Sequence, residues 1–149
     1  MTKAAAIYNF WNSFLTAYEE NSVPEDAKFP YITYQLVTDS LDNDVQMAAS
    51  IWYRGSSWVE ANAKTEEISQ TIGRGGKTLK CDNGRIWIKR GTPFSQNMGD
   101  ESDNLIKRKY LNITAEFLTA DKERKILWVS FHRLQKAPLT NYRPMQVYF

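Results

Sequence analysis

The Asn83-Gly84 dipeptide constrains the fold of this chain more than any other feature of its sequence. Asn-Gly favours a tight two-residue turn of type I′ between two antiparallel strands. The flanking segments 78–81 and 85–90 carry strand-like sequences, and the second of them places Ile86 and Ile88 on one face. The sequence therefore predicts a β-hairpin, and with it a sheet, in the second half of the chain.

Apolar periodicity predicts two helices and further strands around this hairpin. Stripes at helical spacing predict helices over residues 3–20 and 57–72, the second ending at Gly73. Alternation of apolar and polar residues predicts strands over 31–38, 45–53, 105–119 and 126–131. The predicted fold class is α+β, with two helices packed on one face of a mainly antiparallel sheet in the order α-β-β-α-β-β-β. Residues 1–121 are predicted to form a single domain, and residues 122–149 a C-terminal strand and extended tail.

Residues 91–104 are predicted to form a long loop. The segment contains two glycines and a proline, and it shows no periodicity. Structureless loops longer than about 12–15 residues are usually functional or disordered in compact domains. We therefore expect this loop to carry function, with Phe94 and Met98 as its apolar anchors.

The composition limits the chemistry that the chain can perform. Its 149 residues include one cysteine, Cys81, and one histidine, His132. An internal disulfide is therefore excluded, and the common zinc, Ser-His-Asp and Cys-His sites would need residues from a second subunit. No catalytic, metal-binding or cofactor-binding residue and no cofactor is predicted, so we do not expect an enzyme. The alternative enzyme hypothesis is a site of carboxylates that forms between subunits.

The charge is distributed unevenly along the chain. The net charge is +2, but residues 1–70 carry ten acidic and four basic side chains, and residues 71–149 carry seven acidic and fifteen basic ones. Such a chain is suited to pair head to tail with copies of itself. The alternative is that folding interleaves the two halves and removes the asymmetry.

Two further expectations concern membranes and nucleic acids. No apolar run approaches the roughly 18 residues of a membrane span, so no membrane partner is expected. Basic residues around Trp87 suggest an alternative function, a small nucleic-acid-binding module that stacks bases on a basic aromatic strand face. The small net charge argues against a dedicated binder, and no specific nucleic-acid partner is predicted.

The order of these segments resembles the tail completion or tail terminator proteins of long-tailed bacteriophages and prophages. The resemblance spans about residues 5–119, and it rests on the order of elements and on the strand start Phe29-Pro30-Tyr31-Ile32-Thr33-Tyr34. It includes Ile51-Trp52-Tyr53 and the strand from Gly84 to Gly91. The resemblance implies a structural virion protein that forms a ring, usually hexameric. Such a ring caps the tail tube, ends its polymerisation and joins the tail to the head-neck proteins.

The resemblance also implies partners and a location. The partners are further copies of the chain, the tail tube protein, a head completion or neck protein and, in a contractile tail, the sheath. The location is the tail-neck junction of the virion, after assembly in the host cytoplasm. A neighbouring head completion protein of the neck is the alternative. We expect loop 91–104 to act as an arm that orders on a partner ring. The predicted partner-binding residues are Phe94, Met98, Asp100, Lys107, Arg108, Lys109, Tyr148 and Phe149.

Overall fold

A computed structural model describes residues 1–39, 43–100 and 102–120, and residues 1–119 form one compact unit. The predicted strand and tail of residues 122–149, with Tyr148 and Phe149, lie outside the described residues. The helices of the described chain are α1 (Lys3–Asn12) and α2 (Val59–Ile72). Its strands are β1 (Ala17–Glu19), β2 (Tyr31–Tyr34), β3 (Asp44–Arg54), β4 (Lys77–Cys81), β5 (Gly84–Met98) and β6 (Ile106–Thr119).

The strands form one curled, mixed sheet in the order β1-β2-β3-β6-β5-β4. Strand β1 pairs with β2 in parallel, and the other pairs are antiparallel. The predicted fold class is therefore wrong in two respects. The element order is α-β-β-β-α-β-β-β, and the sheet is mixed. The additional strand is β1, whose three residues are too few to show an alternating pattern.

The first helix is shorter than predicted, because polar side chains end it at Asn12, after 10 residues. The side chain of Asn12 accepts a hydrogen bond from the backbone N–H of Ala17 at 3.1 Å, and Ser13 Oγ donates to the Phe10 carbonyl at 2.6 Å. Such local side-chain bonds compete with helical ones. Phe14 and Leu15 still pack against the core, which explains why the apolar periodicity continues past the helix.

The hydrophobic core lies between the two helices and one face of the sheet. The predicted hairpin between β4 and β5 is confirmed, although its two turn residues are Asp82 and Asn83 and Gly84 already belongs to β5. Ile86 and Ile88 are fully buried as predicted. The largest buried core side chains include Ile7, Trp11, Ile51, Ile68, Ile72, Leu111, Ile113 and Phe117. The sheet face that points away from the helices is called the open face below.

The prediction of a loop over residues 91–104 is wrong, because β5 continues to Met98. Pairing with β6 is interrupted only between Arg90 and Ser95, where the segment 91–94 forms a bulge. At the start of the bulge, a Cβ on Gly91 would lie 2.9 Å from the backbone oxygen of Asn112. Glycine and proline in the bulge, followed by the polar residues of an exposed strand end, conceal the alternation that identifies a strand.

Candidate interaction surfaces

The described residues offer little that resembles a catalytic centre. Residues 1–39, 43–100 and 102–120 contain no group of three or more His, Cys, Asp or Glu side chains that would hold a metal ion. None of the helices in these ranges is both long and apolar enough to span a membrane. The half-buried Cys81 has a pKa raised above its usual value, chiefly by burial. The distinctive features of the described chain are its sheet surfaces and sheet edges.

The three predicted cations at the start of β6 do not form one patch, because successive strand residues point to opposite faces. Lys107 and Lys109 lie on the helix side of the sheet, where the Lys107 ammonium is 5.7 Å from the centre of the Trp58 ring. Lys109 donates a hydrogen bond to Asn97 Oδ1 at 2.8 Å, and burial lowers its pKa. Arg108 alone lies on the open face.

The predicted residues near the end of β5 occupy different environments. Phe94 is partly buried and packs against the core. Met98 is 36% exposed and pairs across the strands with Arg108. Asp100 accepts hydrogen bonds from the backbone N–H and the hydroxyl of Ser102, and these bonds hold its pKa below the usual value. The structure therefore brings Met98 and Arg108 together and leaves Phe94 in a packing role.

The open face carries a row of stacked side chains that crosses β2, β3 and β6. The rings of Tyr31 and Trp52 are stacked, with centroids 6.1 Å apart and planes inclined by 19°. The guanidinium carbon of Arg108 lies 4.7 Å from the Trp52 ring centre and 5.7 Å from that of Tyr110. We call these four residues the aromatic–arginine row.

Buried hydroxyl groups hold the row in place from below. Trp52 Nε1 donates to Thr33 Oγ1 at 2.8 Å, and Arg108 Nε donates to Ser50 Oγ at 2.9 Å. Thr33 and Ser50 are 8% and 3% exposed, so both hydrogen bonds are partly buried. Sequence reasoning did not single out Trp52 as a site residue. The signal that would have found the row is the presence of aromatic and basic residues at outward positions of three neighbouring strands.

Trp87, the stacking residue of the nucleic-acid alternative, is half-buried and makes contacts with its own chain. Its Nε1 donates to the Gly75 carbonyl at 2.8 Å, and the Lys89 ammonium lies 4.4 Å from its ring centre. Lys89 is itself 3.6 Å from carboxylate oxygens of both Asp44 and Glu116. The ring is therefore in contact with a lysine, and two acidic side chains offset the charge of that lysine.

The outer edge of β5 is open along its second half. Strand β4 pairs only with residues 84–88, so residues 89–98 have no strand of the described chain on their outer side. On the inner side, residues 89–90 and 95–98 pair with β6, and residues 91–94 form the bulge. Backbone N–H and C=O groups along such an edge are a template for the addition of another strand. We call residues 89–98 the open β5 edge.

Two grooves of opposite charge lie at the two ends of the sheet. The acidic groove, of about 420 Å³, is lined by Glu19 and Glu20 at the end of β1 and by the segment 34–37. The basic groove, of about 390 Å³, lies between α1 and β4, and Lys77 and Lys80 contribute to its wall. Opposite charge on two separate surfaces of one chain is the pattern expected where copies contact each other head to tail.

No protein-family model matches this sequence, and no curated protein is significantly similar to it. The function is therefore inferred from the surfaces described above and from the resemblance noted in the sequence.

Proposed function

We propose that the protein is a structural subunit that forms a closed ring at the end of a phage tail tube. There it ends tube polymerisation and joins the tail to the neck proteins at the tail-neck junction of the virion. The observation that carries the proposal is the open β5 edge, which offers backbone hydrogen-bonding groups to a protein partner. The resemblance of residues 5–119 to tail terminators supports the assignment to a tail.

A subunit of such a ring needs separate surfaces for its neighbours and for the structures above and below. The described chain has four surfaces with different chemistry, namely two oppositely charged grooves, an open strand edge and a stacked aromatic–arginine row. A heterologous ring interface uses two different patches of each subunit. The strand edge and the row are then available to the tube and neck proteins, with Met98 and Arg108 adjacent where these two surfaces meet.

The first experiment measures assembly and tail binding of the purified full chain. Native mass spectrometry and negative-stain electron microscopy are expected to show a ring, and the protein is expected to co-sediment with isolated tail tubes. Co-sedimentation with heads but not with tails would favour the alternative of a head completion protein. A chain that is monomeric at all concentrations and binds neither structure would contradict the proposal.

A matched pair of proline variants tests the open β5 edge directly. In an antiparallel pair, neighbouring residues alternate in pointing their N–H toward the partner strand or away from it. Gln96→Pro and Asn97→Pro therefore remove one N–H that β6 uses and one that faces outward. The variant whose lost N–H faces outward keeps its pairing with β6 and its normal stability, and this variant is expected to lose tail binding. Normal tail binding by both folded variants would show that the edge has no role in docking.

A further inference from the structure

We infer that the acidic groove of one copy binds the basic groove of the next copy, so that like subunits join head to tail. This inference rests on the proposed ring and identifies the surfaces that close it. The occupant of each groove is a second copy of this chain.

The acidic groove combines unpaired carboxylates with exposed aliphatic side chains. Glu19 and Glu20 are exposed, and neither forms an ion pair with another described residue. Leu36 and Val37 line the same groove and are each 37% exposed, although both are aliphatic. The exposed acids Glu25 and Asp26 follow in the connection to β2 and extend the negative surface, in which Lys28 is the one cation between residues 19 and 30.

The basic groove has the complementary chemistry. Lys77 and Lys80 are exposed on β4, Lys77 on the helix side and Lys80 on the opposite face of this outer strand, and within the described ranges neither has an ion-pair partner. The half-buried Leu79 and the exposed Met1 also line this groove and supply apolar surface, with the buried Phe10 beneath them. In contrast, Lys89 on the neighbouring strand lies close to two carboxylates of its own chain. The lysines of the basic groove therefore remain available to acidic groups of another molecule.

The positions of the grooves favour a head-to-tail contact over a two-fold dimer. Strands β1 and β4 are the two outer strands of the sheet, with four strands between them. Neighbouring strands are about 4.8 Å apart, which separates the outer strands by roughly 24 Å along the sheet. A two-fold axis through either groove would bring like charges together, whereas a head-to-tail contact pairs opposite charges.

The contact is made by side chains, because the free edge of β1 is already partly occupied. The backbone N–H of Ala17 donates to Asn12 Oδ1 at 3.1 Å, and the Glu19 carbonyl accepts from the Ser22 N–H at 2.9 Å. Strand addition at β1 would have to displace both bonds. The head-to-tail interface is therefore distinct from the open β5 edge, and the two can be tested separately.

The experiment reverses the charges of each groove in the full chain. Glu19→Lys with Glu20→Lys and, separately, Lys77→Glu with Lys80→Glu are each expected to weaken self-association about 100-fold. Like charges across an interface are strongly unfavourable. An equal mixture of the two variants is expected to regain assembly, because every contact in an alternating ring again pairs opposite charges. Sedimentation velocity and native mass spectrometry measure the assemblies.

Controls separate loss of contact from loss of folding and from general charge effects. Glu60→Lys with Glu66→Lys changes the net charge equally at exposed positions of α2 and is expected to assemble like the unaltered protein. Circular dichroism and a urea titration establish that each variant is folded. Raising the salt concentration is expected to weaken assembly of the unaltered protein, since exposed charges are screened.

Each outcome supports or overturns a defined statement. Rings that persist in both groove variants, or folded variants that stay apart when mixed, overturn the groove contact and leave the proposed function standing. If the unaltered chain stays monomeric, the groove contact and the proposed function are both overturned. A ring that assembles through the grooves but ignores tail tubes overturns the proposed function alone. If a groove binds an unrelated basic or acidic protein and does not bind a second copy of the chain, the groove contact is also overturned.

Discussion

Replacement of Arg108 by alanine is expected to destabilise the fold by about 3 kcal/mol, although the sequence had suggested only a partner contact. The guanidinium carbon lies 4.7 Å from the centre of the Trp52 ring, a contact worth about 1 kcal/mol at a half-exposed position. The Arg108 Nε also donates to the buried Ser50 hydroxyl, and a hydrogen bond to a charged group contributes about 1.5–3 kcal/mol. The alanine variant loses both.

Urea unfolding, followed by tryptophan fluorescence, measures this loss. With a slope of about 2 kcal/mol per molar urea, the midpoint is expected to fall by about 1.5 M. A double-mutant cycle with Ser50→Ala isolates the hydrogen bond and is expected to give a coupling of about 1–2 kcal/mol. Each titration is repeated at several protein concentrations, because assembly adds concentration-dependent stability.

Lys107→Ala is the matched control, since Lys107 precedes Arg108 on the same strand and points to the other face. Its ammonium contacts the Asn104 carbonyl and the Trp58 ring, and its replacement is expected to cost less than about 1 kcal/mol. Equal midpoints for the two variants, together with a coupling to Ser50 below about 0.3 kcal/mol, would refute the structural role. Arg108 would then be free to act as the partner-binding residue predicted from the sequence.

Three further predictions concern backbone fit, packing and ionisation. Gly84→Ala should lower the urea midpoint by an amount equivalent to about 3 kcal/mol, because the added Cβ would lie 2.0 Å from a backbone oxygen at a φ of +153°. The control Gly75→Ala places its Cβ in open space and should change the stability by no more than about 0.5 kcal/mol. Equal values for the two variants would contradict the close approach at Gly84. Ile113→Ala should cost about 3 kcal/mol in the same titration, and a cost below about 1 kcal/mol would be inconsistent with its complete burial. Burial lowers the pKa of Lys109 in the folded protein. Just below the ordinary lysine pKa of about 10.4, the unfolded chain therefore binds more protons than the folded chain. The free energy of unfolding consequently increases as the pH rises through this range. Lys109→Met should abolish this increase between about pH 9 and 10.5, and an unchanged pH profile would argue against the shift.

The sequence predicted best the strands that bury one complete face. In β6, Leu111, Ile113 and Ala115 alternate with polar residues, and all three are buried as expected. The paired strand β3 extends only one residue beyond the predicted range at each end. Alternation is informative here because one side of each strand contacts the core and the other does not.

The sequence failed where local chemistry and strand length conceal a strand. β1 spans only Ala17–Glu19, and it lies within an apolar pattern that also fits a helix. The end of β5 contains a bulge at 91–94 and an exposed edge, so neither face of it is uniformly apolar. Both strands are established by pairing with distant residues, and a local pattern cannot report on that pairing.

The charge asymmetry of the two halves shows why strand order decides between alternatives that the sequence leaves open. In the sheet order β1-β2-β3-β6-β5-β4, the three strands from the acidic half lie on one side and the three strands from the basic half lie on the other. The two groups of strands meet only where β3 pairs with β6, so folding does not interleave the strands of the two halves. The β1 end retains the acids Glu19 and Glu20, and β4 retains the bases Lys77 and Lys80. The sheet thus keeps the charge asymmetry of the sequence, and the two outer strands carry opposite charges that are available to bring copies of the chain together.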